Sequence, residues 1–171
     1  MPGPSFFLEG QMFDLREIID RLRKEAESLH RELTVELPKE IGEAISKGDL
    51  SENAEYESAK ERQSTIMSRL AQLNERIQAL SSISLDDIPR DQASLGSTIF
   101  VENLETGEKR KFVIVPHEAM DGNPDFVSLN SPIGRAFLGA RPGDEVYVKI
   151  PRGEMEFLVE KVITYHGDVL E

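Results

Sequence analysis

The sequence predicts an α+β protein in two parts, an antiparallel α-helical coiled-coil hairpin followed by a compact antiparallel α+β domain. Three observations carry this. Residues 14–80 repeat their apolar side chains at helical spacing. From Thr98 onward the pattern changes to short β-branched and aromatic runs divided by turn residues. A polar stretch with Pro89 and Gly96 lies between the two patterns. The boundaries that follow are a hairpin over 12–82 with its tip at 48–53, a linker over 83–97 and a second domain over 98–171.

The second arm of the hairpin has the cleaner period. Tyr56, Ala59, Gln63, Ile66, Leu70, Leu73, Ile77 and Leu80 step by alternating threes and fours, a heptad seam with one polar member at Gln63. An arm over 52–80 would be ~43 Å long at ~1.5 Å per residue. The first arm carries Leu15, Ile18, Leu22, Ala26, Leu29, Leu33, Leu37, Ile41 and Ile45. Its later members step by fours, so the seam drifts around a regular helix. Pro38 lies inside this run and should kink the helix or restart it, because its ring displaces a carbonyl and its nitrogen has no hydrogen to donate. Gly48 suits the C′ position that ends the first arm, and Asp49 or Ser51 suits the cap of the second.

Beyond the linker, strands are expected over Thr98–Leu104, Lys109–Val115, Phe126–Leu129, Glu145–Ile150 and Met155–Tyr165, separated by Gly-, Pro- and Asn-bearing turns. Ser131–Leu138 reads as one short helix, with Ser131 as its cap and Pro132 at its first position.

Composition narrows the functional classes. The net charge of −12 opposes unaided binding to DNA or RNA, whose affinity comes largely from phosphate neutralisation. Residues 1–80 hold 11 basic and 16 acidic side chains and residues 81–171 hold 9 and 16, so neither half is a basic module. Cysteine is absent, which excludes disulfides and thiolate metal sites. Residues 1–10 do not read as a signal peptide, and no run approaches the ~18 apolar residues of a membrane span. A cytoplasmic protein without membrane contact is expected. His30, His117 and His166 lack zinc-ligand spacing, and no Gly-rich phosphate loop or nucleophile elbow occurs.

The chemistry-bearing feature is Asp49-Leu50-Ser51-Glu52 at the hairpin tip. Two nearby carboxylates make a partial site for Mg²⁺, which takes oxygen ligands and shares them with water and phosphate. Phosphodiester hydrolysis uses such ions to neutralise the attacking and leaving oxygens. The same spacing is also a capping box at a helix start, where acids are favoured by the helix dipole. Arg62, Arg69 and Arg76 fall one heptad apart and form a basic stripe on the second arm. It can pair with acids on the other arm or act as a track for phosphates.

The stretch Gly48-Asp49-Leu50-Ser51-Glu52-Asn53-Ala54-Glu55-Tyr56-Glu57-Ser58-Ala59-Lys60-Glu61 closely resembles the signature of the Gre family, the bacterial transcript cleavage factors. Asn130-Ser131-Pro132-Ile133-Gly134-Arg135-Ala136-Phe137-Leu138-Gly139 resembles the Ser-Pro-led helix of that family's C-terminal domain. The acidic balance resembles the GreA branch more than the GreB branch. The resemblance implies a coiled-coil hairpin and an FKBP-like domain, a monomer, and RNA polymerase as partner. The nascent RNA 3′ end and the DNA template are then met only through polymerase. The family's hairpin enters the secondary channel, where the acids matched by Asp49 and Glu52 help hold a second Mg²⁺ shared with the polymerase active site. The polymerase itself then hydrolyses backtracked RNA, so the factor is a cofactor-like activator and not an enzyme. Leu50, Asn53 and Tyr56 match residues that shape the tip. Ser131 and Pro132 fall in a region associated with polymerase docking, and the Arg62, Arg69 and Arg76 stripe is the counterpart expected for a patch contacting RNA. The competing expectations are a channel-binding regulator that blocks polymerase without stimulating cleavage, and a structural coiled-coil adaptor.

Overall fold

A computed structural model describes residues 13–49 and 53–171. They divide into two units, one of Leu15–Ile83 and one of Ser84–Glu171 together with Phe13 and Asp14.

The first unit is the helical hairpin. Helix α1 spans Leu15–Arg31, a π-helical turn spans Glu32–Glu36, α2 spans Leu37–Ser46 and α3 spans Ala54–Ser81. The π turn resolves the two oddities of the first arm. About 3.3 regular turns separate Leu29 from Ile41, which would swing them apart. A wider turn absorbs one residue and returns both to the same face. Leu29, Leu33 and Ile41 accordingly pack with Leu37 against Ala59, Ile66 and Leu70. Pro38 needs the same feature. In an α-helix its ring would strike the Thr34 carbonyl, but here the preceding turn closes through the Leu37 amide donating to the Glu32 carbonyl, and the proline sits at the start of α2. The Thr34 hydroxyl donates to the His30 carbonyl at 2.8 Å. Near the tip Ala44 takes the buried place expected for Ile45, which is half exposed.

The second unit is built on a six-stranded sheet. Its strands are β1 (Thr98–Asn103), β2 (Lys109–Val115), β3 (Phe126–Ser128), β4 (Glu145–Ile150), β5 (Gly153–Ile163) and β6 (Val169–Leu170), with helix α4 (Pro132–Phe137) between β3 and β4. The order is β3-β2-β1-β5-β4, and β6 pairs with β5. Pairing is antiparallel except for β2 with β3, which run parallel. That is a departure from the all-antiparallel expectation. The chain leaves β2 through a short 3₁₀ turn at His117–Ala119 and a glycine turn before it returns alongside. Alternate residues of β1, β4 and β5 fill one face, giving a core with Phe112, Phe137 and Phe157 at its centre. Their ring centroids lie 5.5–5.7 Å apart.

The segment expected as a linker is largely part of this unit. Ile88, Ala93, Leu95 and Ser97 are buried. The Ala93 amide donates to the Ala140 carbonyl, and the Gly139 amide donates back to the Ala93 carbonyl, both at 2.8 Å. Short apolar residues spaced among polar ones give no periodic signal, so a packed irregular segment resembles a linker in sequence.

Helix α4 forms as its residues dictate. The Ser131 hydroxyl accepts from the Gly134 amide at 3.0 Å and donates to the Ser128 carbonyl at 2.7 Å, with Pro132 just inside the helix. A Cβ at Gly134 would come within 2.0 Å of the Ser128 carbonyl oxygen, so only glycine fits there.

Candidate functional site at the hairpin tip

The tip is made by the end of α2, the start of α3 and the residues between them. Gly48 ends the first arm with φ of +112°, a backbone region that suits glycine. Its amide donates to the Ile45 carbonyl at 3.3 Å. Asp49 follows and is exposed. Leu50, Ser51 and Glu52 lie outside the described residues.

Helix α3 begins at Ala54, and its cap is Asn53. The Asn53 Oδ1 accepts from the Tyr56 amide at 3.1 Å, while its Nδ2 donates to the Ala44 carbonyl at 2.7 Å. One side chain thus serves a donor left over at the start of α3 and adds a second bond to the Ala44 carbonyl, which also accepts from the Lys47 amide at 3.2 Å. This corrects the expectation that Asp49 or Ser51 caps the second arm. Asp49 stands four residues before the cap, so it does not cap the second arm, and Glu52, its capping-box partner, lies outside the described residues. Asparagine is a strong capping residue, and that preference was the available signal for Asn53.

A second tie crosses the tip. Lys47 Nζ lies 2.7 Å from Glu55 Oε2, an exposed pair. The hydrogen bond to Glu55, and then its charge, hold Lys47 above the ordinary lysine range. Beside it, Glu40 and Glu43 of α2 and Glu55 and Ser58 of α3 line an open cleft of about 580 Å³. The surroundings of the tip are therefore acidic on both arms.

The arginine stripe is engaged within the hairpin. Arg62 grips Glu32 through two nitrogens at 2.7 and 2.9 Å, and Arg69 grips Glu25 at 2.8 and 3.0 Å. The two glutamates are one heptad apart, as are their arginines, so the forks act as rungs between the arms. Both guanidinium groups face carboxylates, which favours the flank-pairing reading of this stripe over a ready phosphate track. The hydrogen bonds from Arg62 hold the Glu32 carboxyl below the usual range. Arg76, the third member, is partly buried.

The remaining sequence-derived residues fall elsewhere. Ser131 and Pro132 start α4 in the second unit. Tyr56 is half-buried in the first turns of α3. Among the described residues no group of three or more His, Cys, Asp or Glu is placed to hold a metal ion. Carboxylate oxygens are the hard ligands that Mg²⁺ prefers. Asp49, exposed in the tip, offers a ligand of that type.

Fold and tip together define a class: a helical hairpin that carries acid at its tip, followed in the chain by an α+β domain. Comparison with known proteins gives the family. Residues 15–81 match the family described as transcription elongation factor, N-terminal, and residues 88–164 match transcription elongation factor, GreA/GreB, C-term. The chain belongs to the GreA/GreB family of transcription elongation factors. It is similar to transcription elongation factor GreA of Thermotoga petrophila, 39% identical over 148 residues that cover 86% of this chain and 94% of that protein. It is 34% identical to GreA of Nitratidesulfovibrio vulgaris, over 86% of each chain. Among solved structures it is similar to GreA factor homolog 1 of Thermus thermophilus, at 27% identity, 84% of this chain, 93% of that chain and a TM-score of 0.37.

Proposed function

We propose that this elongation factor binds RNA polymerase through its secondary channel and stimulates endonucleolytic cleavage of backtracked nascent RNA by the polymerase active site. The observation that carries the reading is the division of labour at the tip. Asn53 ties both helix ends, and Asp49 lies exposed in the tip. In this reading Asp49 and Glu52 are brought to the polymerase centre. There they would help hold Mg²⁺, which would supply charge neutralisation at the scissile phosphate. The contribution of this chain would be positional: acid carried at the end of a slender arm whose second helix is capped by Asn53. Leu50, Asn53 and Tyr56 shape that end, while Ser131 and Pro132 lie on the docking side of the second unit. An acidic protein has no need to bind free RNA when polymerase presents the RNA, and the chain acts as an activator and not as an enzyme. The partner is cytoplasmic, so the protein is placed there too. The protein acts as a monomer, because the hairpin already satisfies its own seam.

The Arg62 and Arg69 forks would meet RNA only by exchanging their glutamates for phosphate. Structural rungs are the role their geometry supports better.

The test is a stalled, backtracked elongation complex with 3′-labelled RNA and Mg²⁺. Addition of the protein should release a short 3′ fragment much faster than polymerase alone. Binding without acceleration would replace this reading with that of a channel-blocking regulator. No binding at all would remove both.

A further inference from the structure

One edge of the sheet in the second unit is open. Strand β4 ends the order β3-β2-β1-β5-β4, and among the described residues it pairs with β5 alone. The main-chain groups of such a strand alternate between its two sides. The Val159 amide of β5 donates to the Asp144 carbonyl just before β4, while the Glu156 carbonyl of β5 turns the other way and accepts from the Leu104 amide. The register sets Val146 opposite Phe157 and Val148 opposite Met155. Val146 and Val148 therefore bond to β5, and the amides and carbonyls of Glu145, Tyr147 and Lys149 point to the open edge.

The side chains of the same three residues are exposed, and Val146 and Val148 between them are buried in the core on the opposite face. An acid and a base thus stand two residues either side of Tyr147. Their own sheet leaves both charges under-used. Glu145 lies opposite Leu158, so β5 gives it no cation at that position. Lys149 comes no nearer to Glu154 than 3.7 Å, with its side chain 84% exposed. Charge on an open edge is usually a guard against pairing, but this arrangement is complementary to itself in one register. When β4 lies antiparallel to β4 of a second copy, about a two-fold axis at Tyr147, Glu145 falls opposite Lys149 of the second copy and Lys149 opposite its Glu145. Opposite charges directly across antiparallel strands attract, and like charges there repel. The residues that come into register are those whose main chains face the edge, so each open amide meets an open carbonyl. A slip of two residues either way loses both charge pairs.

We infer that the β4 edge is a self-complementary interface through which two copies of this chain join their sheets, with Tyr147 on the axis and a Glu145–Lys149 pair on each side of it. A two-fold contact of this kind is closed and stops at two copies. The net charge of −12 on each copy opposes the approach, so the pair is weak and belongs to the free protein at high concentration. The single copy remains the form proposed to act on polymerase. The interface uses the α+β unit alone and does not rest on that proposal.

The experiment is sedimentation equilibrium on the full chain at one fixed ionic strength, from about 10 µM to about 1 mM protein. The wild-type mass should rise with concentration from that of one chain toward that of two. Glu145→Lys and Lys149→Glu each set like charges opposite one another on both sides of the axis, and each should weaken pairing by about tenfold or more. Glu145→Lys should do so although it lowers the net negative charge, which separates the local pairs from bulk repulsion. An equimolar mixture of the two single variants should pair again, as should the doubly exchanged Glu145→Lys/Lys149→Glu chain, because opposite charges then face each other once more. Both positions are exposed, so the folds should persist, and circular dichroism checks this. A wild type that stays a single chain throughout, single variants that pair as well as the wild type, or a mixture that does not recover would each overturn the inference. Any of these results leaves the proposed function standing.

Discussion

The hairpin and the α+β unit solve the same problem with different means. In the α+β unit three phenylalanine rings meet inside a sheet whose alternate residues are fully enclosed. In the hairpin a narrow seam of Leu37, Ala59, Ile66 and Leu70 is backed by half-buried neighbours and by exposed arginine–glutamate rungs. Burial scales with enclosed apolar area, whereas exposed ion pairs add little and are screened by salt. Two antiparallel helices have too little volume for a thick core. The hairpin therefore depends on its ends being tied, and among the described residues the tip is tied by Asn53 and by the exposed Lys47–Glu55 pair.

The largest effects should come from the α+β unit. Phe137→Ala removes a fully buried ring from the aromatic trio and should cost about 4 kcal/mol, read from the urea midpoint by near-ultraviolet circular dichroism. Gly134→Ala drives a methyl group into the Ser128 carbonyl. It should cost about 3 kcal/mol in the same measurement, at the upper end of overpacking. A neutral result would mean that the α4 cap can shift freely.

The hairpin should respond less, and at its lock. Asn53→Ala removes the cap and one of the two bonds to the Ala44 carbonyl, which still accepts from the Lys47 amide, for about 1.5 kcal/mol. Asn53→Asp keeps the capping oxygen but sets a carboxylate against that carbonyl. If Asp is as stable as Asn, the bond to Ala44 contributes nothing and the single-residue clamp is wrong. The smallest effect concerns the rungs. Arg62 depresses the Glu32 carboxyl below its ordinary value of 4.5. A depressed carboxylate stabilises the fold above the unfolded value, and that contribution is lost as pH falls through the lower, folded value. Arg62→Gln should therefore lower hairpin melting slightly at neutral pH, more so at low salt, and flatten its pH dependence below about pH 4.5, where variant and wild type converge.

What the sequence revealed follows the same division. The heptad of α3 is regular, and every seam position from Ala59 to Leu80 is buried or half-buried. The strands and the Ser131–Pro132 helix start were legible because alternation and capping are local. The steps of four between Leu29 and Ile41, with Pro38, signalled an irregularity, but the choice of a π turn over a kink depends on packing against the other arm. Asn53 was hidden because its second bond reaches nine residues back. The packed segment 88–97 and the parallel pairing of β3 with β2 are long-range matters that no local period records. Of the acidic pair, Asp49 is placed at the tip and Glu52 falls outside the described residues.

The most direct test of the account uses Asp49→Asn/Glu52→Gln, measured for both thermal melting and release of the 3′ RNA fragment from a backtracked complex. Because Asn53 carries the cap, the double variant should melt within about one degree of the wild type and bind polymerase as tightly, yet release the fragment no faster than polymerase alone. A large drop in melting temperature would show that the acids hold the tip together. Cleavage at the wild-type rate would show that their charge is not what the tip delivers.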